Sequence, residues 1–121
     1  MRLVKVTDTD SAKVLASRVE VADTFLSRSV GLMLRPTMGS ADGMLITECR
    51  AVHTCLVRFP IDLLFIARDG MVLRAVHNLR PWRVSPVVWR AWAVLELPAG
   101  TVAQTETQTG HRVRIDPVAE R

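Results

Sequence analysis

The chain has 121 residues, of which 49% are hydrophobic and 23% are charged. This length suits one domain, because a single hydrophobic core usually organises on the order of 100–150 residues, and the composition excludes a disordered chain. No apolar run reaches the ~18–20 residues that span a bilayer, and residues 1–8 lack the apolar segment of a signal peptide. We therefore expect one domain over residues 1–121, in the cytoplasm and without a membrane span.

The charge pattern limits the class of partner. The net charge of +4 comes from sixteen basic residues, most of them Arg, which are scattered between acidic ones. Since the sequence has no basic run or basic helix, the pattern disfavours nucleic-acid binding but is compatible with a small anionic ligand. The two cysteines, Cys49 and Cys55, are expected to be free thiols, because a domain of this size folds without disulfides.

The first half of the chain predicts two strands followed by a helix. Apolar and polar residues alternate over residues 3–6 and 14–21, as in half-buried strands. The pair Asp23-Thr24 then predicts the N-cap of a helix over residues 25–34. Gly31 is expected inside this helix, where it costs roughly 1 kcal/mol relative to Ala and suggests close packing.

The second half predicts further short strands, with a hairpin turn at Asp69-Gly70 and a proline-containing loop over residues 80–90. Residues 101–109 fit a short helix or an irregular turn. We expect a mainly β (α+β) fold with one or two short helices, in which the sheet closes partly into a barrel and so hides its edges. The strands predicted in this half cover residues 44–47, 51–57, 63–67, 71–76, 92–97 and 112–115.

Asp62 lies in an apolar stretch between Ile61 and Leu63. Because an isolated buried carboxylate is costly, this side chain must be hydrogen-bonded, paired or protonated. Two interpretations stay open. Asp62 is a catalytic or ligand-binding carboxylate, or it is structural and either caps backbone N–H groups after Pro60 or pairs with an Arg such as Arg28 or Arg58.

Cys49, His53 and Cys55 invite a metal site or a Cys–His nucleophile. At roughly 3.3 Å per residue, Cys49 and His53 in one strand would lie ~13 Å apart, too far to share a zinc ion or to form a nucleophile–base contact. A bend between them would bring them together. With residues 51–57 as a strand, we expect inert thiols, no metal and no cofactor.

Residues 80–92 hold all three tryptophans together with Arg80, Arg83 and Arg90. Aromatic and guanidinium groups together stack on sugars or bases and hold phosphates. Alternatively, the segment is a loop over one end of the barrel, with its Trp rings filling the core and its Arg stems covering them.

Four blocks of the chain, in order, resemble the family called domain of unknown function 192. The first block, Phe25-x-x-Arg28-x-x-Gly31-Leu32-Met33, is similar to the family's F-x-x-R-x-x-G-L-M. The other blocks are residues 43–45, residues 53–65 with 69–70, and residues 95–100 with 110 and a final strand. The likeness covers about residues 14–116 and implies a compact, mostly β prokaryotic domain, often found in cell-envelope-associated forms, with no assigned activity.

The sequence departs from the family pattern in two places. Many members have an aromatic-Met-Lys-Asn-Thr block where this chain has residues 53–58, and a Gly-Asp pair where it has Gly110-His111. These departures resemble those of a sub-branch.

The matching blocks indicate a set of polar residues among apolar ones. We expect a module that binds a small polar or anionic ligand in a pocket lined by Trp and Arg. The alternatives are an enzyme that uses Asp62 and His53 as acid and base, and a structural or partner-binding protein that uses a sheet edge or the Trp loop. The candidate ligand-binding residues are Arg28, Thr54, Arg58, Trp82 and Glu96.

Overall fold

The computed structural model of the protein describes residues 2–24, 27–28, 31–33, 35–36 and 42–118. It is mostly β, as expected, with strands joined into one curled sheet and a short helix near the C-terminus. The elements are β1 (Leu3–Asp8), β2 (Lys13–Ala22), β3 (Gly43–Thr47), β4 (Ile61–Ile66), β5 (Val72–Leu79), β6 (Ala93–Pro98), α1 (Thr101–Gln104) and β7 (Val113–Pro117).

The strand order across the sheet is β5-β4-β6-β3-β2-β1-β7, and β2 and β3 form a parallel pair between antiparallel ones. The two edge strands approach each other at one end, where the Val72 N–H donates to the His111 carbonyl (2.8 Å) and the Val113 N–H to the Gly70 carbonyl (2.9 Å). Gly70 permits this contact, because its φ is +88° and a Cβ would lie 2.6 Å from the Val113 oxygen. The sheet is therefore a half-barrel, which confirms the predicted partial closure.

Buried side chains form two clusters, one on each face of the sheet. The inner cluster draws on strands from both edges to the centre, including Val6, Leu64 and Leu95, and α1 contributes Val102. The outer cluster covers β3, β4 and β6 and includes Ile46, Leu63 and Val94. Because both faces of these three strands are buried, their sequences are almost continuously apolar instead of alternating.

Loops cover the outer cluster and form the wall of the site described below. Residues 51–57, predicted as a strand, are a loop with a single β-bridge between His53 and Val84. An extended segment runs beside this loop, since the Ser85 N–H donates to the Val52 carbonyl and the Val88 N–H to the Arg50 carbonyl (both 2.8 Å).

Half of the predicted helix over residues 25–34 lies outside the described residues, and Ser27 and Arg28 within it are helical. The Ser27 N–H donates to Thr24 Oγ1 (3.1 Å), so Thr24 acts as the expected cap. Gly31 does not continue the helix, because its φ is +50°, which is left-handed backbone that favours glycine. Within the part of the chain that the structure describes, no helix is long and apolar enough to cross a membrane.

Candidate functional site

Glu96 is a buried carboxyl group on the outer face of the sheet. It lies in β6 between Leu95 and Leu97, which both point into the inner cluster, so alternation directs Glu96 outward. The residue is only 3% exposed, yet its Oε1 accepts no hydrogen bond from any described residue. Burial raises the pKa of Glu96 to about 8, against the opposing effect of the Arg35 charge. Such an unpartnered buried group calls for an explanation.

A cavity of about 180 Å³ lies in front of this carboxyl group. Most of its wall is apolar, and the polar groups that reach it belong to Arg28, Cys49, His53 and Glu96. The remaining lining residues are Gly31, Leu32, Met33, Ile46, Ala51, Val52 and Val57. An apolar wall with a few converging polar groups is the usual composition of a small-molecule site.

Backbone geometry at two places opens the cavity. The left-handed turn at Gly31 passes close to the carboxyl group, and a Cβ at this position would lie 3.9 Å from Glu96 Oε1. Across the cavity, the loop that replaces the predicted strand bends between Cys49 and His53, so both residues reach the same space. The chain therefore does bend between Cys49 and His53, which the predicted strand over residues 51–57 would not allow.

The Cys49 thiol and the His53 ring have defined hydrogen bonds. Cys49 is half-buried and its Sγ–H donates to the Ala51 carbonyl (3.1 Å). Burial, reinforced by Glu96, raises the pKa of Cys49, so the group stays a thiol and a poor nucleophile near neutral pH. The exposed His53 ring accepts the Cys55 N–H at Nδ1 (3.2 Å), which leaves the proton of the neutral ring on Nε2. Cys49 and Cys55 are both free thiols.

Asp62 lies on the opposite face of the sheet from this cavity. Its neighbours Ile61 and Leu63 belong to the outer cluster, so Asp62 points inward. Oδ1 accepts the Asn78 N–H (2.9 Å), and Oδ2 accepts the N–H groups of Gly100 and Val102 (3.0 Å each). The carboxylate therefore caps the start of α1 and ties it to β4 and β5.

These contacts select the structural interpretation of Asp62, with partners other than those expected. Asp62 was expected to cap N–H groups just after Pro60, but the donors belong to Asn78 and to Gly100 and Val102 at the start of α1. Asp62 also forms no ion pair with Arg28, Arg58 or any other described residue. The structure also does not bring Asp62 and His53 together, because the sheet separates them.

Thr54, expected at a ligand site, is fully buried and holds a loop. Its Oγ1 accepts the Arg83 N–H (2.8 Å) and donates to the Arg80 carbonyl (2.6 Å). These bonds fix the segment that carries Trp82 against the loop that carries His53.

Arg58 and Trp82 come together elsewhere, in an open surface groove of about 400 Å³ with Leu56 and Pro81. Trp82 is 63% exposed and Trp89 is 77% exposed, so neither ring fills the core. In the described residues, no tryptophan lines the Glu96 cavity, and the expected pocket lined by Trp and Arg divides into a groove and a cavity that meet at Val57. Of the candidate residues, the cavity joins Arg28, His53 and Glu96.

Asp8, Asp10 and His111 form a cluster that the sequence did not indicate, because more than a hundred residues separate its parts. Three of the cluster's four carboxylate oxygens already have partners. Asp8 Oδ1 accepts the Asp10 and Ser11 N–H groups, Asp8 Oδ2 bonds to His111 Nδ1 (2.8 Å), and Asp10 Oδ2 accepts the Arg112 N–H. We interpret this cluster as the support of the β1–β2 turn.

Comparison with known proteins places the chain among relatives. The model of the family called domain of unknown function 192, described as "Uncharacterized ACR", matches residues 5–115. The chain belongs to this family. A UPF0127 protein of Thermococcus sibiricus is 29% identical over 113 residues, which cover 90% of this chain and 73% of the relative.

Two crystal structures share the family fold. A protein of unknown function from Novosphingobium aromaticivorans is similar with a TM-score of 0.78 and 28% identity, covering 93% of this chain and 83% of that one. A Sinorhizobium meliloti protein, described as a candidate transcription regulator, is similar with a TM-score of 0.76 and 31% identity, covering 94% and 92%. The half-barrel is thus an architecture that this chain shares with these two proteins.

Proposed function

We propose that this member of the family binds a small polar ligand in the cavity in front of Glu96. The observation that supports this most directly is the unpartnered Oε1 of Glu96, which is buried and lines the cavity wall. Since a buried polar atom without a partner costs about 1–3 kcal/mol, a ligand that hydrogen-bonds to it recovers this energy on binding.

The size and polarity of the cavity limit which ligands it can bind. Its volume of about 180 Å³ is below the ~300–1,000 Å³ of sites for drug-sized molecules, so the ligand has only a few heavy atoms. Apolar side chains such as Ile46 and Val57 contact its body, while Arg28 and Glu96 bind its polar end.

The geometry gives less support to the alternatives. An enzyme with Asp62 as acid or base needs an accessible carboxylate, whereas both oxygens of Asp62 accept backbone N–H groups. A partner-binding role would use the Trp82 groove or a second open groove beside Trp89, which is lined by Leu73, Arg74, Val87, Val88 and Arg90. Neither groove has a buried unpartnered group among its described lining residues.

The test is an NMR screen of small polar compounds against ¹⁵N-labelled protein, with two matched variants. Glu96→Met removes the carboxyl group at nearly constant volume, and Trp82→Ala alters the surface groove. We expect hits to perturb the amide resonances of Gly31, Ala51 and Glu96, to weaken at least about tenfold in Glu96→Met, and to persist in Trp82→Ala. Perturbations confined to residues near Arg58 and Trp82, or no perturbation by any compound, would overturn the proposal.

A further inference from the structure

Resting on the proposed function, we propose that the ligand is a small monocarboxylate with a branched apolar body, whose carboxylate binds both the Arg28 guanidinium and the Glu96 carboxyl group. The placement of charged and neutral groups around the cavity favours this class over a cation.

Arg28 supplies the charge that selects an anion. It lines the cavity beside Cys49, on whose thiol its positive charge acts, and it forms no ion pair with any described acidic residue. The charge that acts on Glu96 is that of Arg35, whose guanidinium is paired with Glu20 at 2.9 Å. An uncompensated cation in a partly buried wall attracts an anion and repels a cation.

The other titratable groups facing Glu96 carry no negative charge near neutral pH. The Cys49 thiol stays protonated, because burial raises its pKa. His53 presents its Nε2 side, since Nδ1 accepts a backbone N–H. The sheet neighbours that pair with Glu96 are Met44 on β3 and Leu63 on β4, which are both apolar. Among the described lining residues, the wall therefore carries the positive charge of Arg28 and no negative charge near neutral pH.

Glu96 complements a carboxylate because its protonated form donates a hydrogen bond to it. Burial raises its pKa to about 8, so the group is a carboxylic acid at pH 7 with an O–H to offer. A hydrogen bond from an acid to a carboxylate is charge-assisted and therefore strong. A bound carboxylate, being a like charge, then raises the pKa of Glu96 further, and binding above about pH 8 takes up a proton.

The apolar part of the wall determines the shape and polarity of the ligand's body. Leu32, Ile46 and Val57 surround the space next to the polar groups, so a short branched chain fills it better than a polar one. Isobutyrate has this shape. Isobutyramide and isobutyramidinium are its neutral and cationic isosteres, and the three compounds together separate charge from size.

The experiment titrates each of the three compounds into the full chain by NMR, and measures proton uptake by calorimetry in buffers of different ionisation enthalpy. We expect isobutyrate to bind at least about tenfold more tightly than isobutyramidinium at pH 7. Proton uptake is expected to be near zero at about pH 6.5 and to approach one proton at about pH 9.5.

Three variants sharpen this test. Glu96→Gln mimics the neutral acid, so it keeps isobutyrate binding within about threefold and abolishes proton uptake. Arg28→Gln weakens isobutyrate at least about tenfold and leaves isobutyramide within about threefold. Trp82→Ala changes none of these values. Because a merely structural role of Glu96 would not link binding to proton uptake, this readout is specific to the site.

The outcomes separate the ligand class from the proposed function. If isobutyramidinium binds more tightly, with proton release, or if isobutyramide equals isobutyrate, the monocarboxylate class is wrong while binding in the cavity stands. If isobutyrate binds without proton uptake at about pH 9.5, then Glu96 is not the protonated hydrogen-bond donor to the ligand. If no probe perturbs the cavity resonances and the wider screen gives no hits, both proposals fail.

Discussion

Asp62 and Glu96 are buried carboxyl groups on neighbouring strands that face opposite sides of the same sheet. Both are almost dry, at 1% and 3% exposure. Asp62 accepts three backbone N–H groups from two other elements, whereas Oε1 of Glu96 accepts none from the described residues. Burial alone therefore does not distinguish a structural carboxylate from a candidate site, and the hydrogen-bond partners do.

The two faces explain this difference. On the inner face, α1 packs on the core through Val102, and the N–H groups at its start donate to Asp62. On the outer face, the Gly31 turn and the loop around His53 leave a space in front of Glu96 instead of filling it. One carboxylate stabilises the fold, and the other lines a cavity.

The largest expected effect is the loss of Asp62. In Asp62→Ala, three N–H groups lose their acceptor, that of Val102 in a buried position and those of Asn78 and Gly100 in part-buried ones. Because a buried unsatisfied group costs about 1–3 kcal/mol, we expect the free energy of unfolding to fall by about 5 kcal/mol. Urea denaturation measures this, with Asp62→Asn as a control that keeps one acceptor oxygen and loses less. A loss below about 1 kcal/mol would show that Asp62 does not stabilise the fold, and the contrast with Glu96 would then fail.

The second effect is the pH dependence that Glu96 gives to stability. Because its pKa rises from 4.5 in the unfolded chain to about 8 in the folded protein, the folded state holds the proton more tightly. This stabilising contribution is complete below pH 4.5 and is lost as pH rises to about 8, by an amount on the order of 4 kcal/mol.

Denaturation of the wild type and Glu96→Gln between about pH 5 and 9 measures this contribution as a difference. The variant has no carboxyl group to ionise, so its stability should decline less over this range. Parallel curves for the two proteins would show that Glu96 has an ordinary pKa and that its cavity is wet or occupied by an unseen partner group.

A smaller effect is expected at Thr54, which the sequence placed at the ligand site. Thr54→Val leaves the Arg80 carbonyl and the Arg83 N–H without their partner, so we expect a loss of about 2 kcal/mol in unfolding free energy. Thr54→Ser, which keeps the hydroxyl, should recover most of it. If Thr54→Val is as stable as the wild type, the hydroxyl does not hold the Trp82 loop in place.

The smallest effect concerns Asp8, a third buried carboxylate that has partners, as Asp62 does. The hydrogen bond to Asp8 raises the pKa of His111, against partial desolvation. The pair therefore stabilises the fold where Asp8 is ionised and His111 is protonated, and this contribution is lost as pH rises through the raised pKa of His111 or falls through the lowered pKa of Asp8. In an NMR titration, we expect a His111 midpoint above 6.5 that falls in Asp8→Asn, and an unchanged midpoint would contradict the pairing.

The sequence predicted the sheet well, because alternation and turn residues are local signals. Its main error is the strand at 51–57, a run of mostly apolar residues. In the structure, Thr54 and Val57 are buried and His53 and Leu56 are exposed, a spacing of three residues that differs from the two-residue period of a strand, because this loop packs on the outer cluster. A short apolar run does not by itself distinguish a strand from a loop that covers a core.

The candidate site was predictable only in part. Glu96 and Asp62 both stand out as acids in apolar strands, but the donors that satisfy Asp62 lie 16 to 40 residues away, and only the fold brings them close. The participation of Cys49 depends on the bend before His53, which leaves no local signal. The sequence predicts close packing at Gly31 but places it inside a helix, whereas Gly31 forms a left-handed turn.

The most direct test of the central claim is the pKa of Glu96 itself, measured by the carboxyl ¹³C shift in protein labelled at glutamate, with Glu96→Gln to assign the resonance. We predict a midpoint near 8 in the ligand-free protein and a rise when isobutyrate is added. A midpoint near the usual 4.5 would contradict the account, because it would mean that Glu96 is solvated or paired and that no unpartnered acid faces the cavity.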